Sequence, residues 1–165
     1  MQDLVILQNN WKYLDEFIEL IYLEWQDEFQ YYGYEDRDSL KKYYKDAKNM
    51  TTYLFFDKKE LIGCYTIKIQ GDVYFCDLFV KKYKRKQGIG KSLIQNAKNK
   101  HNTLYLICEQ KLTSWYEESG FRVINNLDPK KNVMVYGKDS KSYYWIIPVI
   151  ILIVIVVWFL QKYLR

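Results

Sequence analysis

The chain is poor in the residues that build metal centres. Its 165 residues include one histidine, His101, and three cysteines, Cys64, Cys76 and Cys108, with no CxxC pair. That excludes the usual zinc and haem ligand sets, so no metal is expected. Three is an odd number for a disulfide framework, and each cysteine lies in a strand-like run; buried free thiols in a reducing compartment fit them. Internal repeats and low-complexity stretches are missing, and the opening MQDLVILQNN lacks the basic-then-apolar order of a signal peptide. Arginine is scarce, 4 residues against 21 lysines. Helix-turn-helix, zinc-finger and RNP-strand patterns are also absent, so no nucleic acid partner is expected for the lysine-rich stretch 81–100.

What the sequence does contain is unevenly placed. Residues 1–80 carry 9 Lys/Arg against 15 Asp/Glu, and residues 81–165 carry 16 against 5. An acidic half is joined to a basic half. Nine carboxylates crowd Asp15 to Asp38 beside Arg37 alone, interleaved with Trp25, Phe29, Tyr31, Tyr32 and Tyr34.

Periodicity gives a mixed α/β domain ending near Lys138. LVILQNN (4–10) reads as a first strand, with Asn10 as the N-cap of a helix. Trp11, Leu14, Phe17, Ile18, Ile21, Tyr22, Trp25 and Phe29 then recur at helical spacing. A second helix over 38–50 is expected to be capped by Asp38. TTYLFF and LIGCYTIKI flank a DKKE turn, and DVYFCDLFV (72–80) adds a third strand in this sheet. A helix over about 88–100, a strand at 103–109, a short helix at 114–120 with a Ser114–Glu117 capping box, and a final hairpin complete the order β-α-α-β-β-β-α-β-α-β-β.

RKQGIGKS (85–92) ends like a nucleotide-binding P-loop, but GxxxxGK[ST] needs a glycine where Arg85 stands. What remains is Arg85-x-x-Gly88-x-Gly90 between a strand and a helix. Two glycines let backbone approach a pyrophosphate, and first-turn N–H groups point at it with the positive end of the helix dipole. Lys81, Lys82, Lys84, Lys86 and Lys91 surround the loop.

DLFVKKYKRKQGIGKSLI resembles the signature of the GNAT superfamily of acyl-CoA N-acyltransferases, matched at Val80, Arg85, Gly88, Ile89, Gly90 and Leu93. SWYEESGF (114–121) resembles that family's second conserved segment, and the element order agrees over residues 4 to about 138. The resemblance implies a mostly antiparallel twisted sheet flanked by helices, with acetyl-CoA as co-substrate. It places the pantetheine arm on the backbone of Phe79 and Val80, and the pyrophosphate on amides from Lys86 through Gln87, Gly88, Ile89 and Gly90 to Lys91. Tyr116 carries over as general acid, the alternative being a ring that only packs. The 72–80 strand is nearest to spermidine/spermine-like members, whose Glu-Asp pair is Cys76-Asp77 here. Alternation sends these two side chains to opposite faces, so Asp77 either draws a proton through water or orders the sheet edge. Glu109 stands where the family often has asparagine. The acidic stretch borders the family's acceptor site, which makes Glu28, Tyr31, Tyr32 and Glu35 candidate contacts for a cationic amine such as a polyamine, a lysine or a protein N-terminus. The departures at Cys76 and Glu109 keep an inactive acetyl-CoA-binding scaffold as the alternative function.

Tyr143 to Leu160 are 18 residues without a charge, 13 of them Ile, Val, Leu or Phe. As a helix they reach about 27 Å at ~1.5 Å per residue, and insertion is worth roughly −4 to −8 kcal/mol, enough to tolerate Pro148. The sequence therefore predicts a linker at 139–142, a transmembrane helix at 143–161 and a tail at 162–165. With so little chain after it, the span is expected to insert post-translationally as a tail anchor, with the catalytic domain facing the cytosol and the linker holding it near the lipid bilayer.

Overall fold

The computed structural model describes residues 2–31 and 33–138. Tyr32, the side chains of Glu28 and Tyr31, and the expected linker, transmembrane helix and tail lie outside the described residues. Among the described residues no helix is long and apolar enough to cross a membrane.

Seven strands form one sheet: β1 (Gln2–Ile6), β2 (Met50–Asp57), β3 (Glu60–Gln70), β4 (Asp72–Val80), β5 (Leu104–Glu109), β6 (Arg122–Asp128) and β7 (Lys131–Tyr136). Their spatial order is β1-β2-β3-β4-β5-β7-β6, and every pairing is antiparallel except β4 with β5. The helices are α1 (Leu14–Tyr31), α2 (Arg37–Asp46), α3 (Ile89–Lys100) and α4 (Thr113–Glu117).

Each face of the sheet has its own core because the helices are amphipathic. On one face Leu14, Phe17, Ile18, Ile21 and Tyr22 of α1, with Leu40 and Tyr44 of α2, cover Leu54, Phe56, Leu61, Cys64 and Phe79. The other core gathers Ile89, Leu93, Ile94 and Ala97 of α3 and Tyr116 of α4 over Ile62, Tyr65, Ile67, Phe75 and Leu106. Each fully buried Leu or Ile contributes about 1.5–3 kcal/mol, so α3 is fixed firmly by its apolar stripe.

Local capping departs from the sequence expectation in three places. The N-cap of α2 is Asp36, whose carboxylate accepts the Ser39 amide at 2.8 Å in a capping box; Asp38 lies one residue inside the helix and pairs with Lys41. Asn10 does not cap α1, because a 3-10 turn at Trp11–Tyr13 intervenes, and its side chain donates to the Ile6 carbonyl. Ser114 and Glu117 form no capping box, because α4 begins at Thr113 after a 3-10 turn, which puts Ser114 inside the helix. One further irregularity is a break in α1 at Trp25 (φ −127°, ψ 33°).

Candidate active site

The site begins where the sheet comes apart. β4 and β5 share a single registered pair, Tyr74 with Tyr105, although β4 continues to Val80 and β5 to Glu109. Residues 75–80 of β4 therefore present a backbone edge with no registered β5 partner. Such an edge accepts an extended ligand as an additional strand would. Phe79 and Val80 lie on it.

A bulge opens the same region from the other side. Thr66 of β3 pairs with Cys76 and Cys64 pairs with Phe79, so Asp77 and Leu78 together oppose Tyr65. Asp77 takes a left-handed backbone (φ +52°), which aspartate tolerates better than most residues. The bulge cancels the alternation assumed from sequence. Cys76 and Asp77 do not point to opposite faces: Cys76 stands opposite Thr66, and the Asp77 carboxylate reaches Tyr44 of α2.

Asp77 is held by a buried polar chain. The fully buried Tyr44 hydroxyl donates to its Oδ2 at 2.8 Å, Thr66 is also hydrogen-bonded to the carboxylate, and Thr66 Oγ1 lies 3.2 Å from Thr52 Oγ1. The Cys64 thiol donates to the Asp77 carbonyl at 3.5 Å. Burial raises the Asp77 carboxyl above its ordinary value, while Tyr44, Thr66 and the Lys68 charge restrain the rise. A carboxylate raised in this way is a better base near neutral pH. Burial and the neighbouring Asp77 push the Cys76 thiol up to about 12, so it remains a thiol and cannot replace the missing glutamate as a base.

Tyr116 is buried between Trp115 (ring centroids 4.9 Å apart) and Phe121 (5.7 Å). Burial, reinforced by Cys108 and Cys76, raises its hydroxyl well above the ordinary tyrosine value, so the group keeps its proton. Glu109 is exposed and paired with Lys111 at 2.6 Å.

At the far end of the opening the chain enters α3 through Gly88, its N-cap. Gly88 has φ +80° and nothing within 4 Å of where a Cβ would stand, and no side chain caps it. The first bond of the helix runs from Ser92 N–H to the Gly88 carbonyl at 3.0 Å, which leaves the Ile89, Gly90 and Lys91 amides without intrahelical acceptors. Lys86 is also left-handed (φ +62°), giving the loop the alternating backbone that forms an anion-binding concavity. Gly90 also makes room for a neighbouring helix. A Cβ there would meet the Trp115 ring at 3.1 and 3.2 Å, so its smallness admits α4.

The loop side chains are largely engaged elsewhere. Arg85 donates from Nε to the Val80 carbonyl (2.8 Å), pairs with Glu24 (2.8 Å) and lies over the Phe79 ring, tying the loop to the broken turn of α1. The Gln87 amide donates to the Tyr83 carbonyl and Lys91 pairs with Glu118, while Lys86 is exposed.

Part of the acidic stretch is engaged within the fold. Glu19 forms a two-pronged pair with Arg37 (2.7 and 3.2 Å), Asp15 and Asp38 share Lys41, Glu24 holds Arg85, and Asp36 caps α2. Glu35 is exposed, and its carbonyl accepts the Tyr22 hydroxyl. The sequence reading missed Tyr44, Thr66 and Lys68 around Asp77. An aspartate within a strand was the available signal, since strands are depleted in it.

Comparison with known proteins fits this geometry. The family model described as the acetyltransferase (GNAT) domain matches residues 19–135. The chain belongs to the GNAT acetyltransferase family. It is an acyl-CoA-dependent N-acetyltransferase with acetyl-CoA as co-substrate, as the resemblance at the loop implied. Among solved structures, an acyl-CoA N-acyltransferase from Pseudomonas aeruginosa is 16% identical with a TM-score of 0.67, covering 83% of this chain and 100% of that one. The PaiA N-acetyltransferase from Thermoplasma acidophilum in complex with coenzyme A is 19% identical with a TM-score of 0.63, covering 82% and 99%. A spermidine N-acetyltransferase chimera of Vibrio cholerae SpeG and hSSAT is also 19% identical with a TM-score of 0.63, covering 82% and 94%. At these identities the likeness is one of fold. No curated protein matches the chain.

The residues of this GNAT domain fit the coenzyme. The uncapped amides at 89–91 and the open space at Gly88 suit a pyrophosphate, and the unpaired β4 edge suits an amide-bearing arm.

Proposed function

We propose that this protein is a membrane-anchored N-acetyltransferase that acts on a primary amine by direct attack, with both substrates bound at once. Acetyl-CoA supplies the activated acetyl group. Asp77 takes the proton from the amine, directly or through water, and Tyr116 returns a proton to the departing thiolate. The observation that carries this reading is the backbone edge of β4 left open beside β5, with Asp77 on it and the uncapped amides of α3 at its end. Neighbours named for amine acetylation, the spermidine enzyme among them, support the acceptor class.

The test is mass spectrometry of full-length chain incubated with acetyl-CoA and an amine library. An acetylated amine is expected; none, with coenzyme bound, contradicts the reading. Tyr116→Phe is expected to lower kcat about 100-fold with coenzyme affinity unchanged. A variant that keeps the full rate removes the acid role.

The anchoring rests on the 18 uncharged residues from Tyr143 to Leu160, with Tyr143, Tyr144, Trp145 and Trp158 at its ends like interfacial anchors. Acetyl-CoA and reduced thiols put the domain on the cytosolic side. Four residues separate Lys138 from Tyr143, so the domain would work close to the headgroups, where tethering raises the effective concentration of membrane-associated acceptors. Full-length protein should resist alkaline extraction from membranes and lose that resistance when 143–160 is deleted. Ready extraction of the intact chain would contradict anchoring.

A further inference from the structure

A cleft of about 610 Å³ lies between the α1–α2 loop, α2 and the end of β3, walled by Tyr34, Tyr43, Lys42, Lys68, Asp46 and Asn49 among others. Its chemistry is mixed rather than acidic. Asp46 is the only carboxylate in the wall, and Lys42 and Lys68 enter no ion pair among the described residues. Five of the nine carboxylates between Asp15 and Asp38 are engaged within the fold, by Arg37, Lys41, Arg85 and the α2 cap.

Lys68 stands in a particular relation to Asp77. Thr66, which is hydrogen-bonded to the Asp77 carboxylate, and Lys68 are successive residues on one face of β3, about 7 Å apart along the strand. Lys68 acts electrostatically on Asp77, Cys76 and Tyr34. An acceptor with its nitrogen at Asp77 and the rest of its chain in this cleft would run past Lys68, which lines it. A polyamine would bring its second cation against Lys68, with Lys42 in the same wall. An anionic oxygen group there would meet a charge-assisted donor.

Resting on the acetyltransferase reading above, we infer that the acceptor is a small zwitterionic amine, bearing one carboxylate or phosphate a few bonds from its nucleophilic nitrogen. Lys68 holds the anionic group while the nitrogen meets Asp77, and the Tyr34 and Tyr43 rings flank the chain between them.

The experiment measures kcat/KM of the full-length chain with acetyl-CoA and three probes: β-alanine, phosphoethanolamine and spermidine. One anionic amine is expected to exceed spermidine by roughly 10-fold or more, and comparing the two distinguishes carboxylate from phosphate. Lys68→Glu should reverse the order and Lys68→Gln should flatten it, with the KM for acetyl-CoA unchanged. Preference for spermidine in the parent chain, or an order that neither Lys68 variant alters, overturns this inference alone. Failure to acetylate any of the three with coenzyme bound overturns it together with the reading on which it rests.

Discussion

The two ends of the site are built from different materials. The donor end is made of backbone: an uncapped helix start at Gly88, free amides at 89–91 and the unpaired edge of β4. The acceptor end is made of side chains that meet from separate elements, Tyr44 from α2, Thr66 and Lys68 from β3, and Asp77 from β4. A backbone site needs only glycine and a strand-to-helix junction, both written consecutively. A side-chain site depends on which strands pair and where they bulge. On the proposed reading, the donor end gives the common chemistry and the acceptor end gives this chain its selectivity.

Substitutions can separate the two ends. The largest effect is expected from Asp77→Asn, which keeps the shape but removes the base. Turnover should fall on the order of 10²- to 10⁴-fold while acetyl-CoA affinity stays constant. Loss of coenzyme binding as well would show that the ends are not separable. Gly88→Val should do the reverse. Its Cβ has room, but a branched residue at φ +80° costs about 1–3 kcal/mol, so the loop relaxes and calorimetry should show coenzyme affinity about 10- to 100-fold weaker. Unchanged affinity would mean that the left-handed cap does not shape the anion site.

Thr66→Val gives the smallest change, one of pH rather than of maximal rate. As the proposed base, Asp77 acts only when ionised, so activity should fall as pH drops through its raised value. Thr66 restrains that rise by hydrogen-bonding the carboxylate. Removing its hydroxyl should move the acid limb of the pH–rate profile to higher pH, and Thr66→Ser should restore it. A limb that stays in place would leave Thr66 as packing only.

This division also explains what could be read from the sequence. The order of strands and helices follows from periodicity and is the order observed, because amphipathic stripes such as Leu14 to Tyr22 have one way to be buried. The strand-to-helix junction at Gly88 and the short helix around Tyr116 were legible for the same local reason. The Asp77 bulge was not. No glycine marks it, and it arises from the register of β3 against β4, so strict alternation placed Cys76 and Asp77 on opposite faces. The ion pairs of the acidic stretch were not legible for a related reason: its charge was visible, but its partners, Arg37, Lys41 and Arg85, are brought to it only by folding. The Ser114 capping box failed because a 3-10 turn ahead of α4 set a different helix start.

The central claim is that coenzyme seats on the amides beginning α3 and along the open edge of β4. Hydrogen exchange of the full-length chain, with and without coenzyme A, tests it directly. The account predicts marked protection at Ile89, Gly90, Lys91 and Val80, with little change across β6 and β7. Saturating coenzyme that leaves the 89–91 amides exchanging as before would contradict it.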